Sequence, residues 1–244
     1  MRIALVLSSV LALGACTAAS NAQETNTAAS SETIQRSYSV GQFNGVSLAG
    51  PHDVIVTVGG AQAVRAEGAA QALEQLEITV KDGTLRIGQK KNDQQGWTMT
   101  RNLPKTTIYV SVPSLASAAI GGSGDMRIDR VEGEEFAASI GGSGSLDIAS
   151  LRVGSASFSI AGSGGIRAAG TADKTNNSVA GSGDINLANL QTDTTAVSIV
   201  GSGDVRANAR RAASVSIIGS GDAFIAGGAQ CAVNKMGSGD ARCG

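Results

Sequence analysis

The 244 residues are 42% hydrophobic and 16% charged, with 33 glycines, only 3% aromatic residues and a formal net charge of −1. A near-neutral charge without a basic block excludes the electrostatic attraction on which nucleic-acid binding depends. With so few aromatic residues, the core must consist of small aliphatic side chains in a regular arrangement. One His and three Cys leave little material for a metal centre or a catalytic triad, so no metal and no cofactor are expected.

Residues 1–15 have the features of a signal peptide. Arg2 supplies a positive charge, and the apolar run of 11 residues from Ile3 to Leu13 is too short to span a bilayer. Leu13-Gly14-Ala15-Cys16 resembles the bacterial lipobox, in which the Cys thiol receives diacylglycerol. The sequence therefore predicts a lipid anchor on Cys16.

Residues 16–36 are predicted to be a flexible tether, because Ala, Ser, Thr and Asn dominate them without periodicity. The expected location is the bacterial outer membrane, on its periplasmic or its outer side. The alternative is a secreted periplasmic protein, because Ser20-Asn21-Ala22 also forms a small-x-small cleavage signal.

Residues 37–115 are predicted to form an N-terminal β region that is continuous with the repeats after it. Val46–Val56 overlays the later segment Val197–Ala207, with Pro51 and His52 at the corner, which indicates a degenerate first coil. After this coil the sequence predicts four elements in chain order: a short helix within Ala69–Leu76, a hairpin of Glu77–Lys81 and Thr84–Ile87 around Asp82-Gly83, a polar loop over Lys90–Asn102, and a strand over Thr106–Val112.

Residues 116–244 contain a repeat of about 20 residues. The triplet Gly-Ser-Gly begins at seven positions, with steps of 20, 20, 19, 20, 18 and 16 residues: Gly122, Gly142, Gly162, Gly181, Gly201, Gly219 and Gly237. Apolar residues alternate with polar ones on both sides of each triplet, a pattern typical of two short strands that meet at a bend. About 20 residues is the length of one coil of a parallel β-solenoid, whose strands pair with their equivalents in the next coil. The sequence predicts an all-β, seven-coil solenoid with Gly-Ser-Gly-Asp corners.

Several segments resemble the "putative auto-transporter adhesin, head GIN domain" family of secreted bacterial proteins. The resemblance rests on Phe43–Val56, Val80–Leu85, Ile108–Pro113 and the Gly-Ser-Gly-Asp series, and it covers about residues 38–243. It implies a β-helical fold and export to the cell envelope. The family supplies no catalytic residues to transfer to this chain.

If Cys16 carries the lipid, Cys231 and Cys243 remain as an even pair in an oxidising compartment, where a disulfide is the default. We expect this bond to close the last coil, whose outer edge has no partner and whose core residues are small. The alternative is a pair of free buried thiols.

A column of carboxylates follows the triplets. Four consecutive copies carry Asp184, Asp204, Asp222 and Asp240 as a candidate ligand or ion ladder. A bridging Ca²⁺ is one interpretation, because calcium prefers oxygen ligands. The favoured interpretation is structural: each Asp caps corner amides or meets the Arg two residues later.

The predicted function is that of a non-enzymatic lipoprotein that presents a solenoid surface for adhesion, binding or envelope scaffolding, with an unknown protein or glycan partner. The alternative is a β-helix that binds or cleaves polysaccharides. Asp184, Asp204 and Asp222 with Arg206 could line a catalytic face, but nothing in the regular column marks one coil as special. Trp97 is the only aromatic residue that the sequence suggests as a sugar platform.

Overall fold

The computed structural model describes residues 33–90 and 105–244, and nearly all of them lie in strands. The predicted all-β fold is confirmed. The N-terminal elements are β1 (Thr33–Tyr38), β2 (Gly45–Ala49), β3 (Asp53–Val58), β4 (Ala63–Ala69), α1 (Ala70–Gln75), β5 (Leu76–Lys81), β6 (Thr84–Gln89) and β7 (Thr107–Val112). The repeat region contains β8 (Ser117–Gly122), β9 (Met126–Ile128), β10 (Val131–Gly142), β11 (Ser145–Gly162), β12 (Gly165–Gly181), β13 (Asp184–Gly201), β14 (Val205–Gly219), β15 (Ala223–Ala226), β16 (Gln230–Gly237) and β17 (Ala241–Cys243).

The repeat forms a parallel β-solenoid, as predicted from its period. Equivalent residues pair in register from coil to coil. For example, Ile140 pairs with Ile160, Ile160 with Val179, and Val179 with Ile199. About six coils of roughly 20 residues are stacked in parallel, against the seven predicted. The last triplet copy contributes only the short strands β16 and β17.

The predicted inward columns form the core. Residues two places before and two places after each of the first six triplets are almost completely buried, including Ile140, Leu146, Ile160 and Ile199, whereas Lys235 at the seventh is exposed. Because neighbouring coils lie at the strand spacing of about 4.8 Å, equivalent aliphatic side chains of successive coils contact one another. They fill the interior without large aromatic rings.

One stretch of the core is polar. Thr175 and Thr195 are buried, and their hydroxyl oxygens are 2.8 Å apart. The amide nitrogen of Asn177 donates to Thr195 Oγ1 at 2.9 Å and to the Ala196 carbonyl at 3.2 Å. These hydrogen bonds offset the cost of placing hydroxyl and amide groups among aliphatic side chains.

The Gly-Ser-Gly corners nest closely in one another. The first glycine has a positive φ, +137° at Gly142 and +136° at Gly162, which L side chains rarely adopt. A Cβ on Gly142 would collide with the carbonyl oxygen of Gly122 in the preceding coil. That same oxygen accepts the Ser143 N–H at 2.9 Å. Glycine is therefore required at this position both for its backbone angle and for the close approach of the two coils.

The segment predicted as a degenerate first coil contains β2 and β3, but the coils do not stack in chain order. Strand β2 pairs in parallel with β8 on one side and with β6 on the other, and β3 pairs with β9 and β7 in the same way. The β2–β3 coil thus lies between β6–β7 and β8–β9. The outermost coil at this end, β6–β7, therefore comes later in the chain than the β2–β3 coil that it covers.

The N-terminal end of the stack is completed by antiparallel strands. Strand β4 pairs with β1 and β7, and β5 and β6 form an antiparallel hairpin around Asp82-Gly83. The predicted short helix is α1. Strand β1 begins at Thr33, within the residues that were predicted to form the flexible tether.

Cys16 and Trp97 lie outside the described residues. In the described part of the chain, no helix is long and apolar enough to cross a membrane.

Candidate functional site

The aspartates that follow the triplets are linked by hydrogen bonds to the backbone of the next coil. Asp184 Oδ1 accepts the N–H of Asp204 at 3.0 Å, Asp204 Oδ1 accepts that of Asp222 at 3.0 Å, and Asp222 Oδ1 accepts that of Asp240 at 2.8 Å. Asp125 similarly accepts the N–H of Ser145 at 3.1 Å. One carboxylate oxygen of each of these aspartates thus has a structural partner.

The two ends of this Asp column have lowered pKa values. The hydroxyl of Ser145 donates to Asp125 at 2.5 Å, and this hydrogen bond is the main cause that lowers the pKa of Asp125. The ammonium group of Lys235 lies 3.0 Å from Asp240 Oδ1 and lowers the pKa of Asp240 by hydrogen bonding and charge. Both carboxylates are therefore ionised at neutral pH.

The geometry favours the structural interpretation of the Asp column over calcium binding. Within residues 33–90 and 105–244, no group of three His, Cys, Asp or Glu side chains is placed to hold a metal ion. The carboxylates of Asp184, Asp204 and Asp222 lie in a line, each directed to the next coil's amide. Calcium needs six to eight oxygens around one point, which a line of aspartates does not provide.

Beside the Asp column runs a second outward column that is rich in arginine. Its members pair in register from coil to coil: Arg127, Asp147, Arg167, Asn186, Arg206, Phe224 and Arg242. The two columns line a corner groove that widens into two concavities. The first has a volume of about 260 Å³ and lies around Gly165, which replaces an aspartate in the Asp column. The second, about 240 Å³, lies around Phe224.

On the other side of the corners the solenoid presents a sheet surface without charged residues, which we call the uncharged face. It consists of three outward columns over six coils: Ala137, Ser157, Asn176, Ala196, Ser214 and Ala232; Ser139, Ser159, Ser178, Ser198, Ser216 and Asn234; Gly141, Ala161, Ala180, Val200, Ile218 and Met236. In the last column the exposed side chains grow larger toward the C-terminal end, where Val200 is 50%, Ile218 51% and Met236 72% exposed.

Cys231 and Cys243 are joined by a disulfide, with their Cα atoms 6.5 Å apart. The bond connects β16 to β17, the two short strands of the final copy. Lys235 occupies the column position of Ile217 in the previous coil, and its ammonium turns back to the Gly239 carbonyl and to Asp240. A charge at the open end discourages pairing with further strands.

His52 takes the place of the second triplet glycine in the first coil. Its side chain is only 3% exposed, and within the described part of the chain neither ring nitrogen has a hydrogen-bond partner. Burial lowers the pKa of His52, with a smaller opposing effect from the Asp53 carboxylate. The imidazole is therefore neutral at neutral pH in the folded protein, and both ring nitrogens are buried away from any substrate.

The sequence matches the family model "putative auto-transporter adhesin, head GIN domain" over residues 42–229. The chain belongs to this family. The resemblance identified from the corner and hairpin motifs is thereby confirmed, and this member of the family is an adhesin-like β-solenoid. No curated protein matches this chain.

Solved structures from Bacteroides and Parabacteroides species share this fold. A "putative adhesin" from Bacteroides fragilis is 24% identical, with a TM-score of 0.80, over 88% of this chain and 98% of that one. A "putative lipid binding protein" from Parabacteroides distasonis is 21% identical, with a TM-score of 0.71 and the same coverage. A "putative adhesin" from the same species is 18% identical, with a TM-score of 0.70 over 88% and 98% of the two chains. At these identities the likeness shows the fold alone.

The buried His52 predicts a specific pH dependence. Because its pKa is lowered on folding, protonation favours the unfolded chain, so stability is full above pH 6.5 and falls as the pH drops below that value. Urea unfolding of the exported protein at about pH 7.5 and about pH 5.5 measures this difference. The His52→Gln variant should lose most of it. An equal pH effect in both proteins would contradict the assignment.

Proposed function

We propose that this protein is a non-enzymatic lipoprotein of the cell envelope that adheres to partner surfaces through its uncharged face. The observation that carries the proposal is the uncharged face itself. Six coils at about 4.8 Å and three columns at about 6.7 Å give a surface of roughly 600 Å², close to the ~800 Å² that each partner contributes to a standard interface.

The composition of the uncharged face suits contact with a flat, uncharged and hydroxyl-rich surface. Ser139, Ser159, Ser178, Ser198 and Ser216 form an exposed hydroxyl column that can both donate and accept hydrogen bonds. A charge that is buried without a partner opposes binding, and this face has no charge to bury. Short side chains on regular strands also lose little conformational entropy when they are covered.

The non-enzymatic part of the proposal is supported by the chemistry of the corner groove. The carboxylates of Asp184, Asp204 and Asp222 each bind the next coil, so they are held as a regular structural series. A glycosidase needs two carboxyl groups in different environments, one of them protonated at working pH. The only His is buried and far along the chain from this column.

The lipid anchor predicts a change in fractionation. Replacing Cys16 with Ser removes the thiol that would carry the acyl chains, so the protein should move from the membrane to the soluble envelope fraction. Fractionation of cells and incorporation of labelled fatty acid measure this. Membrane association that is unchanged in the variant, with no label in the natural chain, would contradict lipidation.

Adhesion through the uncharged face predicts sensitivity to a single introduced charge. Ser198→Arg should lower attachment of expressing cells to dextran-coated glass about tenfold, because a charge without a partner in a dry contact costs about 1.4 kcal/mol or more. Gln191→Arg is the matched control, since Gln191 is exposed on the same strand outside the uncharged face. Equal attachment of both variants, or no attachment of the natural protein, would contradict this proposal.

A further inference from the structure

The second concavity of the corner groove is centred on an exposed aromatic ring. Phe224 lies in an outward column and is 48% exposed, whereas Phe43, Phe136 and Phe158 are buried. In register it lies between Arg206 of the preceding coil and Arg242 of the following one. Among the described residues no cation lies over the Phe224 ring, so its face is open to a ligand.

Hydrogen-bonding groups of both kinds surround this ring. The guanidinium groups of Arg206 and Arg242 only donate, and in the described part of the chain neither has a carboxylate within ion-pair distance. Asp204 and Asp222 both line the concavity, and each engages one carboxylate oxygen with the next coil, which leaves the second oxygen as an acceptor. The ring thus has donors and acceptors within the same 240 Å³ space.

The charges around Phe224 balance. Asp240 is paired with Lys235, so the remaining groups are Arg206 and Arg242 against Asp204 and Asp222. A polyanion would meet the two aspartates, and a polycation would meet the two arginines. A neutral ligand whose hydroxyls both donate and accept satisfies all four side chains.

We propose that the concavity around Phe224 binds one neutral hexopyranose unit of a polysaccharide. The C–H face of a pyranose ring packs on the exposed aromatic face, and its hydroxyls bind the arginines and aspartates at the rim. The volume of about 240 Å³ is below the ~300–1,000 Å³ of typical small-molecule sites, which suits one sugar ring. This inference goes beyond the proposed function, which concerns the uncharged face on the other side of the corner.

The disulfide supports this site. Arg242 is the middle residue of β17, a strand of three residues that, among the described strands, pairs only with β15. The bond from Cys243 to Cys231 fixes β17 to β16, and it therefore holds Arg242 beside Phe224. Without it the last strand would be free to separate, and the guanidinium would lose its fixed position.

The test is binding of soluble neutral tetrasaccharides (glucan, mannan and galactan) to the exported protein, measured by isothermal titration calorimetry. At least one of them should bind, and Phe224→Ala should weaken that binding about tenfold or more. Phe224→Tyr should retain it within about threefold, because the aromatic face remains. Val233→Ala, which shortens an exposed apolar side chain outside both the concavity and the uncharged face, is the matched control and should bind like the natural protein.

Three outcomes would overturn the proposal: no binding of any neutral tetrasaccharide, equal binding by Phe224→Ala, or binding of only polyuronates or peptides in the same assay. Melting curves of each variant establish that it is folded, which we expect because Phe224 is half exposed. Ser198→Arg should leave tetrasaccharide binding unchanged. Failure of this site and failure of adhesion through the uncharged face are therefore separate results.

Discussion

The contact between successive Gly-Ser-Gly corners sets the spacing and register on which the rest of the solenoid depends. The Gly142 carbonyl accepts the Ser163 N–H at 2.9 Å, and a Cβ on Gly162 would collide with that same oxygen. Each corner can therefore approach the preceding one only if it lacks a side chain at this position. The flanking strands are then brought together in register, and their ladder hydrogen bonds and aliphatic columns stabilise the stack.

Exact register turns each position of the repeat into a column, and the surface properties of the protein follow from this. A serine that recurs at one position becomes a hydroxyl row, and an aspartate becomes a series of amide acceptors. Charged and uncharged residues are thereby separated on the two sides of the corner. Departures from the repeat, such as Gly165 and Phe224, mark local concavities in an otherwise uniform groove.

The fold could be predicted from the sequence where a local signal recurs, and not where the determining contact is distant. The triplet period predicted the solenoid, and Asp82-Gly83 predicted the hairpin of β5 and β6. The order of stacking has no such signal, because β2 pairs with β8 about 70 residues later. Likewise, Thr33–Tyr38 becomes a strand only through β4. The exposure of the Phe224 ring was not predicted, because the other three phenylalanines are buried and only the register places Phe224 between Arg206 and Arg242.

The central claim is that the corners require glycine for close approach, and a pair of alanine substitutions tests it most directly. Gly142→Ala should lower the free energy of unfolding by about 2 kcal/mol or more, because the new methyl meets the Gly122 carbonyl at a positive φ. At Gly165 a Cβ has only the Asp184 carbonyl 3.9 Å away, so Gly165→Ala should be neutral or stabilising by up to ~1 kcal/mol. Equal stability of the two variants in urea unfolding would contradict the account.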